Sequence, residues 1–229
     1  LEAYQSLYDR AKDDPESFWD EIGKSELHWF EPYDSVLKGA GTDVEWFVGG
    51  QTNMAFNCLD ANIEAGRGDR PAIIWEGEPG DTRTLTYADL HRDVCKFSNV
   101  LKGLGVGVGD VVSIYMPMTP EIAIAMLACV RIGAIHSVIF AGFSAEAIAD
   151  RNNDASAKVQ LTADGLWRRG KCIPLKETVN KALEKSPTVE HCIVLKRCEN
   201  DVEMHSGRDH WWHELNESAS ADCPATPLD

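Results

Sequence analysis

VVSIYMPMTPEIAIAMLACVRIGAIHSVIFAG, from Val111 to Gly142, decides the fold class. Val111 to Tyr115 is a short apolar run rich in β-branched residues, and His136 to Phe140 is another, read here as a buried strand. Between them Thr119-Pro120-Glu121 sets a capping hydroxyl, a first-turn proline and an acid at a helix start. The helix continues to about Arg131 and stops at Gly133. Strand, helix and strand at this spacing form a βαβ unit, whose strands lie parallel with a right-handed crossover.

The same alternation continues downstream. Ser144 caps a helix with Glu146 in its first turn, Lys158 to Thr162 reads as a strand, Leu175 to Leu183 as a helix and Cys192 to Leu195 as a strand. The expected class is therefore α/β, a parallel doubly wound sheet flanked by helices. Upstream, Asn57 to Glu64 is expected to be helical. Ala72 to Trp75 and Thr84 to Tyr87 read as partner strands around a turn at Glu78 to Asp81. Ala88 to Gly103 places Leu90, Val94, Phe97, Val100 and Leu101 at helical spacing. Beyond Arg197 the chain turns polar, with an amphipathic turn at Trp211 to Leu215.

Before Met54 the chain is aromatic-rich and has no clear period, apart from a short helix opened by Asp14-Pro15-Glu16. The expected division is an irregular, partly helical N-terminal extension over 1–56, wrapped on a larger body over 57–229.

The chain has 229 residues, 44% hydrophobic and 26% charged, with a formal net charge of −15. That balance is globular and argues against nucleic acid as a partner, which would need a basic face. Seven cysteines, an odd number with no C-x-x-C pair, fit a reducing compartment and not a zinc site or a disulfide scaffold. The cytoplasm is the expected location, with an organelle or the nucleus left open. Arg131 and His136 interrupt the longest apolar region too early for a membrane span. Because the chain opens on Leu1, its start reads as trimmed, and a targeting segment would not be visible.

Two glycine-bearing stretches suggest phosphate loops. Gly103, Gly105, Gly107 and Gly109 close a helix and open a strand, the reverse of the order a dinucleotide loop needs, so they read as a cap and turn. Gly165-Leu-Trp-Arg-Arg-Gly170-Lys171-Cys172 nearly spells G-x-x-x-x-G-K-[ST], between an expected strand and an expected helix. Cys172 stands where a hydroxyl would hold Mg²⁺, and Trp167, Arg168 and Arg169 crowd the backbone amides. Arg168, Arg169 and Lys171 make better sense as an anion clamp past the carboxyl end of a strand. His205, His210, His213 and Glu214 match no zinc-enzyme order, and no G-x-S-x-G turn occurs.

Several collinear stretches resemble the acetyl-CoA synthetases of the adenylate-forming family. They include Ala72-Ile-Ile-Trp-Glu-Gly77, Leu90-His-Arg-Asp-Val94, Ile114-Tyr-Met-Pro-Met118, Arg131-Ile-Gly-Ala134, His136-Ser-Val-Ile-Phe140, Gly142-Phe-Ser144 and Gly207-Arg-Asp209 with Trp211-Trp212. The resemblance implies a fold made of the N-terminal extension and the first part of the family's large N-terminal domain. It implies a ligase that joins acetate to ATP as acetyl-AMP and then passes the acetyl group to CoA, releasing AMP. ATP and CoA would be substrates, with Mg²⁺ in the complete enzyme and none of them tightly bound to this part. In the family the ATP-phosphate loop, the acyl pocket and the mobile lysine-bearing domain lie beyond the position of Asp229. No catalytic residue is therefore expected here, and the chain alone is expected to be inactive. The resemblance assigns Arg168 and Lys171, with Arg169 and Gly170 between them, to the CoA 3′-phosphate, and Phe140, Ala141 and Gly142 to the CoA adenine. A P-loop-like nucleotide-binding domain and a non-enzymatic interaction module remain as alternatives. Acetate against propionate and the oligomeric state are left open.

Overall fold

The structure, a computed structural model, describes residues 2–229. Helices α1 (Glu2–Asp13) and α2 (Pro15–Glu26) precede an antiparallel hairpin of β1 (Ser35–Ala40) and β2 (Asp43–Val48). The N-terminal extension is thus more regular than expected. Its one legible helix start holds, because Asp14 accepts the Ser17 N–H at 3.1 Å and Pro15 sits in the first turn. Helix α1 buries no side chain, so no core-facing stripe marks it in the sequence.

A π-helical turn at Phe56–Asp60 runs into α3 (Ala61–Glu64) and is followed by the antiparallel pair β3 (Pro71–Glu76) and β4 (Thr82–Thr86). Tyr87 opens the next helix, α4 (Tyr87–Gly103), and does not end the strand. Thr86 and Asp89 cause this by forming a capping box, each side chain accepting the other residue's backbone N–H.

The chain then lays down β5 (Val111–Ile114), α5 (Pro120–Arg131), β6 (Ile135–Val138), α6 (Ala145–Asp154) and β7 (Val159–Ala163). A second small hairpin, β8 (Gly165–Arg168) and β9 (Lys171–Pro174), leads to α7 (Lys176–Leu183), β10 (His191–Leu195), β11 (Asp209–Trp211) and α8 (Trp212–Glu217). The main sheet is five-stranded and parallel throughout, in the order β11-β10-β7-β5-β6. Strand β11 adds a fifth member that three residues, two of them Asp209 and His210, did not announce.

Period-two alternation divides the core between the two sheet faces. Val112, Ile114, Leu161 and Ile193 pack with α4 and α5, while Cys192 and Val194 pack with α6 and α7. Fully burying each larger aliphatic side chain contributes roughly 1.5–3 kcal/mol. The run at His136–Phe140, expected as a buried strand, forms the edge strand β6, with Ile135 54% and Val138 48% exposed. A short apolar run has the same appearance in a central strand and an edge strand, so the sequence did not separate them.

Helix α5 ends on Arg131, which is 2% exposed. Its guanidinium donates to Asp60 Oδ2 at 2.6 Å and Oδ1 at 2.9 Å, and its Nε donates to the Cys223 carbonyl at 2.5 Å. His91 meets the same carboxylate at 3.2 Å. Burial pushes Asp60 up, but the hydrogen bonds from Arg131 and His91 outweigh it and hold the carboxyl well below the usual range. Asp60 in turn, with Cys95, raises His91 to about 9 against the cost of burial. Among the described residues no helix is long and apolar enough to cross a membrane, and the seven cysteines are free thiols.

Candidate functional site

Strand order reverses about β5. The chain steps from β5 to β6 on one side, then crosses to β7 on the other. Connections leaving the carboxyl ends diverge at such a point and open a crevice between them. Here the crevice is a cavity of about 360 Å³. Its floor is the loop Met116–Thr119 after β5, one wall is Val138–Ala141 at the end of β6, and the other is Leu166–Arg168 of β8. The end of β3 and the start of the turn after it, Trp75 to Glu78, cover it together with Arg197.

The cover is fixed by four contacts. Trp75 donates its indole N–H to the Met118 carbonyl at 2.7 Å. The Arg197 guanidinium lies 5.1 Å from the Trp75 ring centroid and forms a two-point pair with Asp81 at 2.9 and 3.0 Å. The backbone N–H of Gly170 donates to Glu78 Oε1 at 2.7 Å, tying the tip of the β8–β9 hairpin to the cover.

Asp164, fully buried between β7 and β8, organises the far wall. Its carboxylate accepts the backbone N–H groups of Gly165, Arg197, Cys198 and Glu199 at 2.6 to 3.0 Å. One side chain thus fixes both the root of the hairpin and the loop that carries Arg197.

The β8–β9 hairpin corrects the P-loop alternative. Arg168 pairs with Lys171 across a two-residue turn at Arg169 and Gly170, with φ of 54° and 70°. Positive φ at both positions is what a tight hairpin turn of matching twist requires. Lys171 therefore lies in a strand, away from any helix N-terminus, and no strand–loop–helix cradle exists there. Directly opposed residues share a face of the hairpin, so Arg168 and Lys171 present two like charges side by side, an arrangement that is unfavourable without an anion between them. Both are exposed, and neither has an ion-pair partner among the described residues, Asp81 being taken by Arg197.

Of the residues picked from sequence, Phe140, Ala141 and Arg168 line one cavity. Arg169, Gly170 and Lys171 form the hairpin tip beyond its mouth, and Gly142 lies just past the β6 wall. Gly142 leaves room for the Phe140 ring in this position, since a Cβ there would stand 2.7 Å from its Cε1 and the ring would have to move. Phe140 is 64% exposed and meets Phe143 edge-on at 6.0 Å, while Tyr115 fixes this loop by donating to the Phe143 carbonyl at 3.0 Å. Trp75, Glu78, Asp164 and Arg197 were not identified from sequence. Their roles come from contacts between segments far apart in the chain, which no local pattern records.

An apolar, aromatic-walled cleft with a cationic rim suits a planar heterocycle bearing phosphate. Among the described residues no group of three or more His, Cys, Asp or Glu side chains is placed to hold a metal ion. No step below runs through Mg²⁺.

Residues 60–227 match the family model described as AMP-binding enzyme, and residues 4–58 match the model for the acetyl-coenzyme A synthetase N-terminus. An acetyl-coenzyme A synthetase of Rhodopirellula baltica is 58% identical over 234 residues, covering 100% of this chain and 35% of that protein. One from Rubrobacter xylanophilus is 53% identical over 224 residues, with 97% and 35% covered. The structure of acetoacetyl-CoA synthetase from Streptomyces lividans superposes with a TM-score of 0.89 at 27% identity, covering 98% of this chain and 34% of that one. The chain thus spans about a third of the length of these relatives. Matched from residue 60 to residue 227 by one family model, the chain belongs to the AMP-binding enzyme family.

Proposed function

We propose that the chain is the N-terminal part of an acetate–CoA ligase and supplies one wall of its CoA site. In the complete enzyme acetate attacks the α-phosphate of ATP, giving acetyl-AMP and pyrophosphate, and the CoA thiol then displaces AMP. Within this reading, residues 1–56 form the extension and 57–229 the first part of the large domain, a division supported by family matches over 4–58 and 60–227. The substrates are acetate, ATP and CoA, and the cytoplasm is the proposed location.

The observation that carries the reading is the convergence of Phe140, Ala141 and Arg168 on one cleft at the switch point of the sheet. The Phe140 ring, given room by Gly142, offers a stacking surface for adenine. Arg168 donates a planar fork to the 3′-phosphate and Lys171 adds a point charge, with Arg169 and Gly170 shaping the turn between them. These residues bind and orient CoA without touching the reacting thiol.

In the complete enzyme, Arg168→Ala is expected to raise the KM for CoA about tenfold or more, one charge-assisted bond being worth roughly 1.5–3 kcal/mol. Acetate-dependent ATP–pyrophosphate exchange, which precedes CoA entry, stays nearly intact. Unchanged CoA dependence in both Arg168→Ala and Lys171→Ala rejects the clamp.

A further inference from the structure

We propose that Glu78 is a built-in competitor for the anion site at the tip of the β8–β9 hairpin, restricting that site to ligands carrying a dianionic phosphate. The proposal rests on the reading of Arg168 and Lys171 as a phosphate clamp.

The Gly170 N–H is the central amide of a two-residue turn and is not consumed by the hairpin's own pairing. It donates to the Glu78 carboxylate at 2.7 Å, across 92 residues of sequence. The turn amide between the two cations is therefore already an anion-accepting donor, and an internal carboxylate holds it. Arg168 and Glu78 line the same cavity, so a ligand that reaches the arginine also reaches the carboxylate.

The charge balance gives this contact its role. Glu78 has no ion-pair partner among the described residues, the nearby guanidinium of Arg197 being committed to Asp81. The carboxylate thus takes the neutral amide and forms no ion pair with Arg168 or Lys171, whose opposed charges it offsets only from a distance. A phosphate monoester has three acceptor oxygens and up to two charges, enough to take the amide and both cations together. A ligand without that phosphate gains too little to displace Glu78. Departure of the carboxylate does not dismantle its turn, because Gly77 N–H to Asp81 O at 2.7 Å, Gly80 N–H to Gly77 O at 2.9 Å and the Arg197–Asp81 pair hold the turn independently.

The test is calorimetric titration of the 229-residue chain with adenosine 3′,5′-bisphosphate and with adenosine 3′,5′-cyclic monophosphate, a monoanionic diester, for wild type, Glu78→Gln and Arg168→Ala. Glutamine keeps an acceptor for the Gly170 N–H but removes the competing charge, and an unchanged thermal midpoint checks that the fold is kept. Glu78→Gln is expected to bind the bisphosphate about two- to fivefold tighter, the scale of one exposed charge interaction, and the monophosphate no differently. If Arg168→Ala weakens bisphosphate binding while Glu78→Gln leaves it unchanged or weaker, the competitor is rejected and the clamp stands. Equal tightening for both nucleotides also rejects it, as a general field effect. If Arg168→Ala changes nothing, or no variant binds the bisphosphate, the clamp itself fails and the competitor with it.

Discussion

Asp164 Oδ1 accepts the backbone N–H of Arg197 at 2.8 Å, and the same oxygen accepts the N–H of Gly165 at 2.6 Å. A single buried carboxylate therefore sets the distance between the guanidinium that covers the cleft and the hairpin that walls it. Cys198 and Glu199 complete the set of donors. Preorganisation of this kind matters because binding side chains held in place lose less freedom when the ligand arrives.

Asp164→Ala is expected to lower stability by about 3 kcal/mol or more, since several N–H groups around a fully buried site lose their acceptor. Asp164→Asn keeps one acceptor oxygen and costs less. Urea titration reads both as lower midpoints with unchanged slope. A midpoint for Asp164→Ala equal to wild type contradicts the proposed role.

The pair of His91 and Asp60 predicts a stability profile with two flanks. His91 is raised from 6.5 to about 9 in the folded state, so its contribution is fully present below pH 6.5 and is lost as pH rises toward 9. Asp60 is lowered from 3.8, so its contribution is present above that value and is lost as pH falls through the folded-state pKa. His91→Gln is expected to flatten the alkaline flank and to weaken the acid one only in part, since Arg131 still holds the Asp60 carboxyl down. Thermal midpoints between pH 5 and 10 that decline equally in both proteins contradict this.

Gly142→Val is expected to push the Phe140 ring aside, because even a Cβ would lie 2.7 Å from Cε1. Stability should change by less than about 0.5 kcal/mol, the position being exposed, while nucleotide binding weakens. Unaltered affinity removes Phe140 from the site.

The parallel unit at 111–142 was legible because each of its boundaries has a local cause. Pro120 starts α5, and Gly133, with φ of 76°, stops it. Alternating strands and helices then left a parallel sheet as the arrangement to expect, which the order β11-β10-β7-β5-β6 bears out. Edge position was not legible, because β6 has the composition of a central strand. The β8–β9 hairpin was hidden by Arg169, a non-glycine in the left-handed region, where turn chemistry ordinarily shows glycine or asparagine. The contacts of Arg197 with Trp75 and Asp81, and of Glu78 with Gly170, depend on tertiary placement alone.

The chain alone is expected to show no acetate-dependent ATP–pyrophosphate exchange. Such chemistry needs preorganised charge around the triphosphate, and the cleft offers its cations at the hairpin tip, without a phosphate loop. Exchange by the pure chain above a protein-free control contradicts this.

The most direct test of the CoA wall is equilibrium binding of CoA and of dephospho-CoA, which lacks the 3′-phosphate, to the chain and to Arg168→Ala. Wild type is expected to prefer CoA, and Arg168→Ala to lose about tenfold or more of its CoA affinity with little change for dephospho-CoA. Equal affinity of wild type for the two ligands, or an equal loss for both in the variant, contradicts the assignment of Arg168 to that phosphate.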